Sequence, residues 1–133
     1  MSVEIASLRI NAPDRLALAE KIHRGLRGDQ VQGFLATAGM TQEQLFAGAH
    51  IPVSTGRRRL AEGRFTDHES ERIARIARIH DATADLFPAP RATQWLMAPN
   101  PRLGGRTPFA AAGTELGAAE VEALLGRLAH GVH

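Results

Sequence analysis

"TQEQLFAGAHIPVSTGRRRLAEG", residues 41–63, decides the fold. Its first four residues have the Thr-x-x-Gln form of a capping box, in which the Thr41 hydroxyl and the Gln44 amide satisfy free backbone groups at the start of a helix. "GAHIPV" interrupts that helix, and Ser54 is placed to cap a second one that runs to Gly63. Two short helices joined by a tight turn are the outline of a helix-turn-helix. Arg57, Arg58 and Arg59 follow one another on the second helix, so at about 100° per residue they fan around it and cannot share one task. If this is a recognition helix, Ser54 and Thr55 sit at its N-terminal end near base edges or phosphates, with Arg57 and Arg58 reaching deeper. These four are the candidate DNA-binding residues. The competing reading is a solvated basic end of an ordinary helical bundle, because the helix-turn-helix pattern alone is permissive.

The flanking sequence also reads as helical, since no run alternates apolar and polar residues for long and aromatics are few. Pro13 and Asp14 open a helix in which Leu18, Ile22 and Leu26 recur at intervals of four, with Gly28 as its stop. Val31, Phe34, Leu35 and Ala38 then mark a helix closed by Gly39. "TDHE", residues 66–69, is a second capping box. It opens the longest helix, with an apolar stripe of Ile73, Ile76, Ala77, His80, Ala84 and Phe87, and with Glu71 and Arg75 at the favourable i, i+4 order. Pro88 and Pro90 end it, and a short helix holding Trp95 and Leu96 must stop near Ala98, ahead of Pro99.

"APNPRLGGRTP", residues 98–108, reads as a rigid elbow. Pro99 and Pro101 stiffen an extended exit, Gly104 and Gly105 permit a sharp turn at positive φ, and Pro108 suits the first position of a helix. Thr114 caps a last helix whose Val121, Leu124, Leu125 and Leu128 share one face and which Gly131 ends. The expected fold class is all-α, a helix-turn-helix bundle in residues 1–64 followed by a small helical domain in 65–133.

Composition narrows the function classes. The 133 residues, 44% of them apolar, suffice for one ordinary domain or two very small ones. There is no cysteine, which excludes disulfides and thiolate metal sites and fits a cytoplasmic protein. The first residues resemble neither a signal peptide nor a membrane span. The pI near 10.3 overstates the charge, which is only +2: with no Tyr, no Cys and a single Lys, little titrates as pH rises. Residues 1–65 hold nine basic and six acidic groups, against seven and eight in 66–133, so polyanion contact is expected in the first half.

Catalytic and metal signals are weak. His23, His50, His68 and His80 are scattered, His130 and His133 lack a third ligand, and no zinc or nucleophile motif occurs. His80 reads as a core histidine bonded to backbone. Glu115, Glu120 and Glu122 gather where the last helix's dipole favours negative charge, and Arg72, Arg75 and Arg78 read as a solvated face. No catalytic residue, cofactor or metal is expected, and the chain is not read as an enzyme.

"STGRRRL" at 54–60, "ESERIARIARI" at 69–79, "WLMAPNPRLGGRTP" at 95–108 and "GAAEVEALLGRLAHGV" at 117–132 together resemble the Xre/MbcA/ParS family of type II antitoxins. The likeness is dense over residues 54–133 and looser over the helix-turn-helix of 29–62. It implies a small protein that neutralises a cognate toxin by binding over its active site, typically an NAD-consuming toxin of the RES class or an ADP-ribosylating one. It also implies a homodimer, and for some members repression of their own operon, which makes operator DNA a second partner. The resemblance makes residues 65–133 the toxin-binding domain and assigns the contact to the elbow and last helix, at Asn100, Leu103, Arg106, Arg127, His130 and Gly131. A stiffened elbow suits that role, because a docking surface already rigid loses less entropy on binding. Two departures stand out: "FAAAG" at 109–113 replaces a bulkier leucine-rich stretch, and residues 1–28 carry no readable family pattern. A stand-alone helix-turn-helix transcriptional regulator, its C-terminal part serving dimerisation or effector binding, is the alternative.

Overall fold

The computed structural model describes residues 2–131. The chain begins with an antiparallel hairpin, β1 (Val3–Ile5) and β2 (Ile10–Ala12), paired in the register Val3↔Ala12, Glu4↔Asn11, Ile5↔Ile10 and joined by a 3-10 turn over Ala6–Leu8. The all-α expectation is thereby corrected to a mostly helical fold with a small two-stranded sheet. Each strand has three residues, too few for alternation to show as a period. Tertiary packing decides the conformation instead, for Ile5, Leu8, Ile10 and Ala12 all turn inward and are buried.

Asp14 caps α1 (Arg15–His23) by accepting the Ala17 N–H at 2.8 Å. This helix ends sooner than its spacing predicts. Leu26 lies beyond it, fully buried, its N–H donating to Ser70 Oγ at 2.8 Å, and Gly28 opens α2 (Gly28–Ala38) instead of stopping α1. The two predicted short helices follow as α3 (Gln42–Gly48) and α4 (Val53–Glu62), and the Thr41/Gln44 box forms with both bonds at 3.0 Å. Pro52, not Ser54, stands at the N-cap of α4, which frees Ser54 to face outward from the helix. The two helices meet at Gly56, where any side chain would overlap the Phe46 ring, so a residue without Cβ lets α4 lie close on α3.

The second capping box also forms, with Thr66 and Glu69 opening α5 (Asp67–Ala84). Ile73, Ile76, Ala77 and His80 are buried as the stripe predicts, while Ala84 is exposed. Ser70, Ala74, Ile79 and Thr83 are buried as well, since α5 is covered by the hairpin, α1 and α3 and also by α6 (Arg91–Leu96) and α8 (Glu115–Ala129). Phe87, past the helix end, is half-buried and stacks on Trp95 at 5.9 Å. Pro108 stands at the first position of the short α7 (Pro108–Ala111) and Thr114 caps α8, both as expected, and Thr107 caps α7 as well.

Two apolar cores result. One gathers Leu26, Val31, Phe34, Phe46 and Ile73, and the other Ile79, Leu96, Ala118, Val121 and Leu125, so α5 contributes to both. Phe109 of α7 packs against each, its ring filling the space a side chain at Gly48 would need. In this way "FAAAG" sets one aromatic ring on a glycine of α3. No described helix is long and apolar enough to cross a membrane.

Candidate functional site

Burial sorts the residues of α4. Val53 and Leu60 pack against the first core and Gly56 is buried, whereas Ser54, Arg57, Arg58 and Ala61 are exposed at the 0, 3, 4, 7 spacing of one helix face. Three of the four candidate DNA-binding residues lie on that face, and Thr55, half-buried, flanks it. The consecutive arginines do divide their tasks. Arg57 donates to Glu43 at 2.6 Å and to Gln42 at 3.3 Å, bracing α4 on α3. Arg58 stands outward, with only Glu62 at 3.9 Å. Arg59 turns back, donating to Glu69 at 2.9 Å, and its charge is structural.

The elbow is a closed loop knotted by Asn100. The Asn100 N–H donates to the Arg106 carbonyl at 3.0 Å, its own carbonyl accepts from Leu103 and Gly105 at 3.0 Å each, and its side-chain oxygen accepts the Arg102 N–H at 2.9 Å. Pro101–Leu103 form a 3-10 turn, and Gly104 and Gly105 take φ of +67° and +82°, the positive values their identity suggests. Leu103 is half-buried against the second core, the turn packs on α8, and Arg106 is exposed. Thus Asn100 and Leu103 shape the loop, and Arg106 is the candidate with a free outward charge.

On α8 the outward residues Leu116, Ala119, Ala123, Arg127 and His130 recur at 0, 3, 7, 11 and 14, which places two candidate contacts on one helix seam. Leu116 is 84% exposed at its start, and Gly131 follows His130 with φ +71°. His133 lies outside the described residues. Among those described, no group of three or more histidine and acidic side chains could hold a metal ion.

Three readings of charged residues change. Arg75 is only 12% exposed, pairs with Glu71 at 2.7 Å and Glu115 at 3.4 Å, and donates to the Gly113 carbonyl at 2.9 Å. Arg78 reaches Glu115 at 3.2 Å and Glu122 at 3.3 Å, and Arg72 donates to the Ala49 carbonyl at 2.6 Å. Instead of a solvated face, these arginines staple α5 to α8 and to the turn of the helix-turn-helix, and Glu115 and Glu122 of α8 are partners of Arg75 and Arg78. His80 is buried with Nδ1 3.2 Å from Asp81 Oδ1, a carboxylate instead of the expected backbone group. Asp81 also accepts the Ser7 N–H at 3.1 Å, tying the hairpin to α5. Burial works to raise the Asp81 carboxyl, and the bonds from His80 and Ser7 outweigh it and hold it below the usual carboxylate range.

The arrangement defines a class: a helix-turn-helix protein whose C-terminal helices carry a braced loop and an open helix seam. Residues 17–78 match the antitoxin Xre-like helix-turn-helix domain, and residues 82–131 match the antitoxin Xre/MbcA/ParS C-terminal toxin-binding domain. The first match begins inside α1 and takes in residues 17–28, which corrects the reading that residues 1–28 carry no family pattern. The chain is 41% identical over 118 residues, 86% of its length and 80% of the relative's, to a protein named Antitoxin Xre from Yersinia enterocolitica serotype O:8 / biotype 1B. It is 40% identical over 106 residues, 78% of its length and 70% of the relative's, to the Antitoxin Xre of Photorhabdus laumondii subsp. laumondii. The chain belongs to the Xre/MbcA/ParS family of antitoxins.

Proposed function

We propose that this chain is the antitoxin of a type II toxin–antitoxin pair, acting in the cytoplasm as a homodimer and neutralising an NAD-consuming toxin of the RES class, or a related ADP-ribosylating one, by covering its active site. Residues 65–133 bind the toxin and residues 1–64 read the operator of the chain's own operon. Neutralisation by occlusion needs a complementary surface and no catalytic group. The observation that carries the reading is the α8 seam: small residues at 119 and 123 let a partner approach closely, and Leu116, Arg127 and His130 offer apolar and polar anchors along it. The braced elbow at Asn100, Leu103 and Arg106 packs on the same helix. Gly131 lets the chain leave that helix end at positive φ.

Co-expression tests this. The chain should restore growth to cells making the RES-class toxin encoded beside it, and Ala119→Arg/Ala123→Arg, which alters exposed positions only, should abolish rescue while the protein stays folded. Rescue undiminished in that variant would remove the α8 surface from the contact, and absence of rescue by the wild type would remove the toxin class.

The operator reading is supported by the exposed face of α4, where Ser54, Arg57 and Arg58, flanked by the half-buried Thr55, stand at the end that a recognition helix presents to DNA. A duplex bearing the chain's own upstream region should be bound, and Arg57→Ala/Arg58→Ala should weaken that binding.

A further inference from the structure

The hairpin, the end of α1, the start of α2 and Arg64, just past the end of α4, surround an open hollow of about 430 Å³ that no function assigned above uses. Its lining includes Arg9, Lys21, Arg24, Arg27 and Arg64 and no carboxylate. Gathered cations repel one another and weaken a fold unless something offsets them. Here the offset is partial. Arg24 has Glu20 at 4.0 Å and Arg27 has Asp29 at 3.0 Å, both exposed pairs. The other three cations are held by neutral oxygens. Lys21 donates to the Asn11 carbonyl at 2.7 Å, Arg64 to the carbonyls of Arg24 and Gly25 at 3.2 and 3.1 Å, and Arg9 to the Asp29 carbonyl at 3.4 Å. A carbonyl positions a cation without neutralising it, so the hollow keeps a fixed positive charge.

We infer that the hollow binds phosphate, and that its occupant is the backbone of a DNA duplex lying along α4; the inference rests on the DNA-reading role proposed for that helix. Gly63 ends α4 and Arg64 follows it directly. The Gly28 N–H donates to the Gly63 carbonyl at 2.8 Å and Arg27 bridges to Arg64, which fixes the hollow to that end of the helix. The ten residues of α4 are about 15 Å long. A helix of that kind, about 10–12 Å across with its side chains, fits the major groove, about 12 Å wide, and Arg64 then stands about one helix length from Ser54, beyond the groove-reading end. Base edges meet the helix face, and phosphates at the groove's far edge meet the hollow. Four of its five cations are arginines, whose planar forks grip phosphate oxygens in pairs. A free polyphosphate has the same chemistry, and the experiment separates the two sources.

Binding of the full chain to a duplex of arbitrary sequence is followed by fluorescence anisotropy as salt is varied. Three proteins are compared: the wild type, Lys21→Gln/Arg24→Gln, and Arg91→Gln/Arg102→Gln, which removes equal charge from exposed positions outside the hollow. The hollow variant should lower the slope of log K against log salt by about 0.9 for each phosphate that it no longer neutralises, with the control slope unchanged. Equal slopes in the two variants would overturn the inference. If Arg57→Ala/Arg58→Ala abolishes binding while the hollow variant matches the control, the role of α4 stands and that of the hollow falls. If the wild type binds neither this duplex nor one bearing its own upstream region, the DNA role falls, and calorimetric titration with inorganic pyrophosphate decides the remainder. A binding heat that the wild type gives and the hollow variant does not keeps a phosphate site with a free ligand, and no heat from the wild type overturns it.

Discussion

Arg59 donates to Glu69 across 2.9 Å, and the same carboxylate oxygen accepts the Thr66 N–H at 2.9 Å, so one side chain caps α5 and holds α4 against it. Glu69 is 8% exposed, and its replacement by alanine removes the cap and leaves Arg59 without its main partner. We expect Glu69→Ala to lower stability by about 1–2 kcal/mol in urea unfolding.

The same pair sets a pH dependence. Burial raises the Glu69 carboxyl, but the bonds from Arg59 and Thr66 outweigh it and leave it below the ordinary glutamate range. A depressed carboxyl contributes fully above its unfolded value, near 4.3, and that contribution is lost as pH falls through the folded value. Wild-type stability should therefore drop more steeply below about pH 4.3 than that of Glu69→Gln. Parallel curves would show that the ion pair adds nothing.

The arginine run divides cleanly between stability and binding. Arg57→Ala/Arg58→Ala removes exposed pairs and should move unfolding by no more than about 0.5 kcal/mol while weakening duplex binding. Arg59→Ala should do the reverse, lowering the melting temperature and leaving the affinity of the folded protein for duplex unchanged. A melting temperature moved equally by both variants would contradict the division.

Much of the fold is legible in the sequence wherever the determinants are local. The Thr41/Gln44 and Thr66/Glu69 boxes, the Pro108 start, the Thr114 cap and the double glycine of the elbow each act within four residues, and each stands where the sequence puts it. The family motif supplies the elbow and α8 as a candidate surface. What stays hidden depends on distant partners. The hairpin rests on three-residue strands held by burial, the role of Arg59 depends on how α4 meets α5, and Arg75 and Arg78 find Glu115 and Glu122 from far along the chain. The cations of the hollow, from Arg9 to Arg64, have no common spacing at all.

Gly48 and Phe109 make a testable contact between α3 and α7. Gly48→Val forces the ring to move and should destabilise by about 1–3 kcal/mol, as overpacking does. Adding Phe109→Ala should recover part of that loss, since the ring it removes is the obstacle. Strictly additive losses would place the strain elsewhere.

The elbow predicts a binding effect with little change in fold. Pro99→Gly/Pro101→Gly should weaken association with the cognate toxin by roughly three- to thirtyfold in calorimetry, as expected from restoring about 0.4–1 kcal/mol of chain entropy per proline, with circular dichroism unchanged. Asn100→Ala, which unties the loop at its side-chain oxygen, should act in the same direction. Unaltered affinity in both would mean that loop rigidity plays no part in recognition.

The two family matches stop and resume on either side of residues 79–81, yet that interval lies within the single helix α5. A join between modules in lineage is therefore not a joint in mechanics. A cut through α5 would strip a wall from each apolar interior at once, because its residues line both.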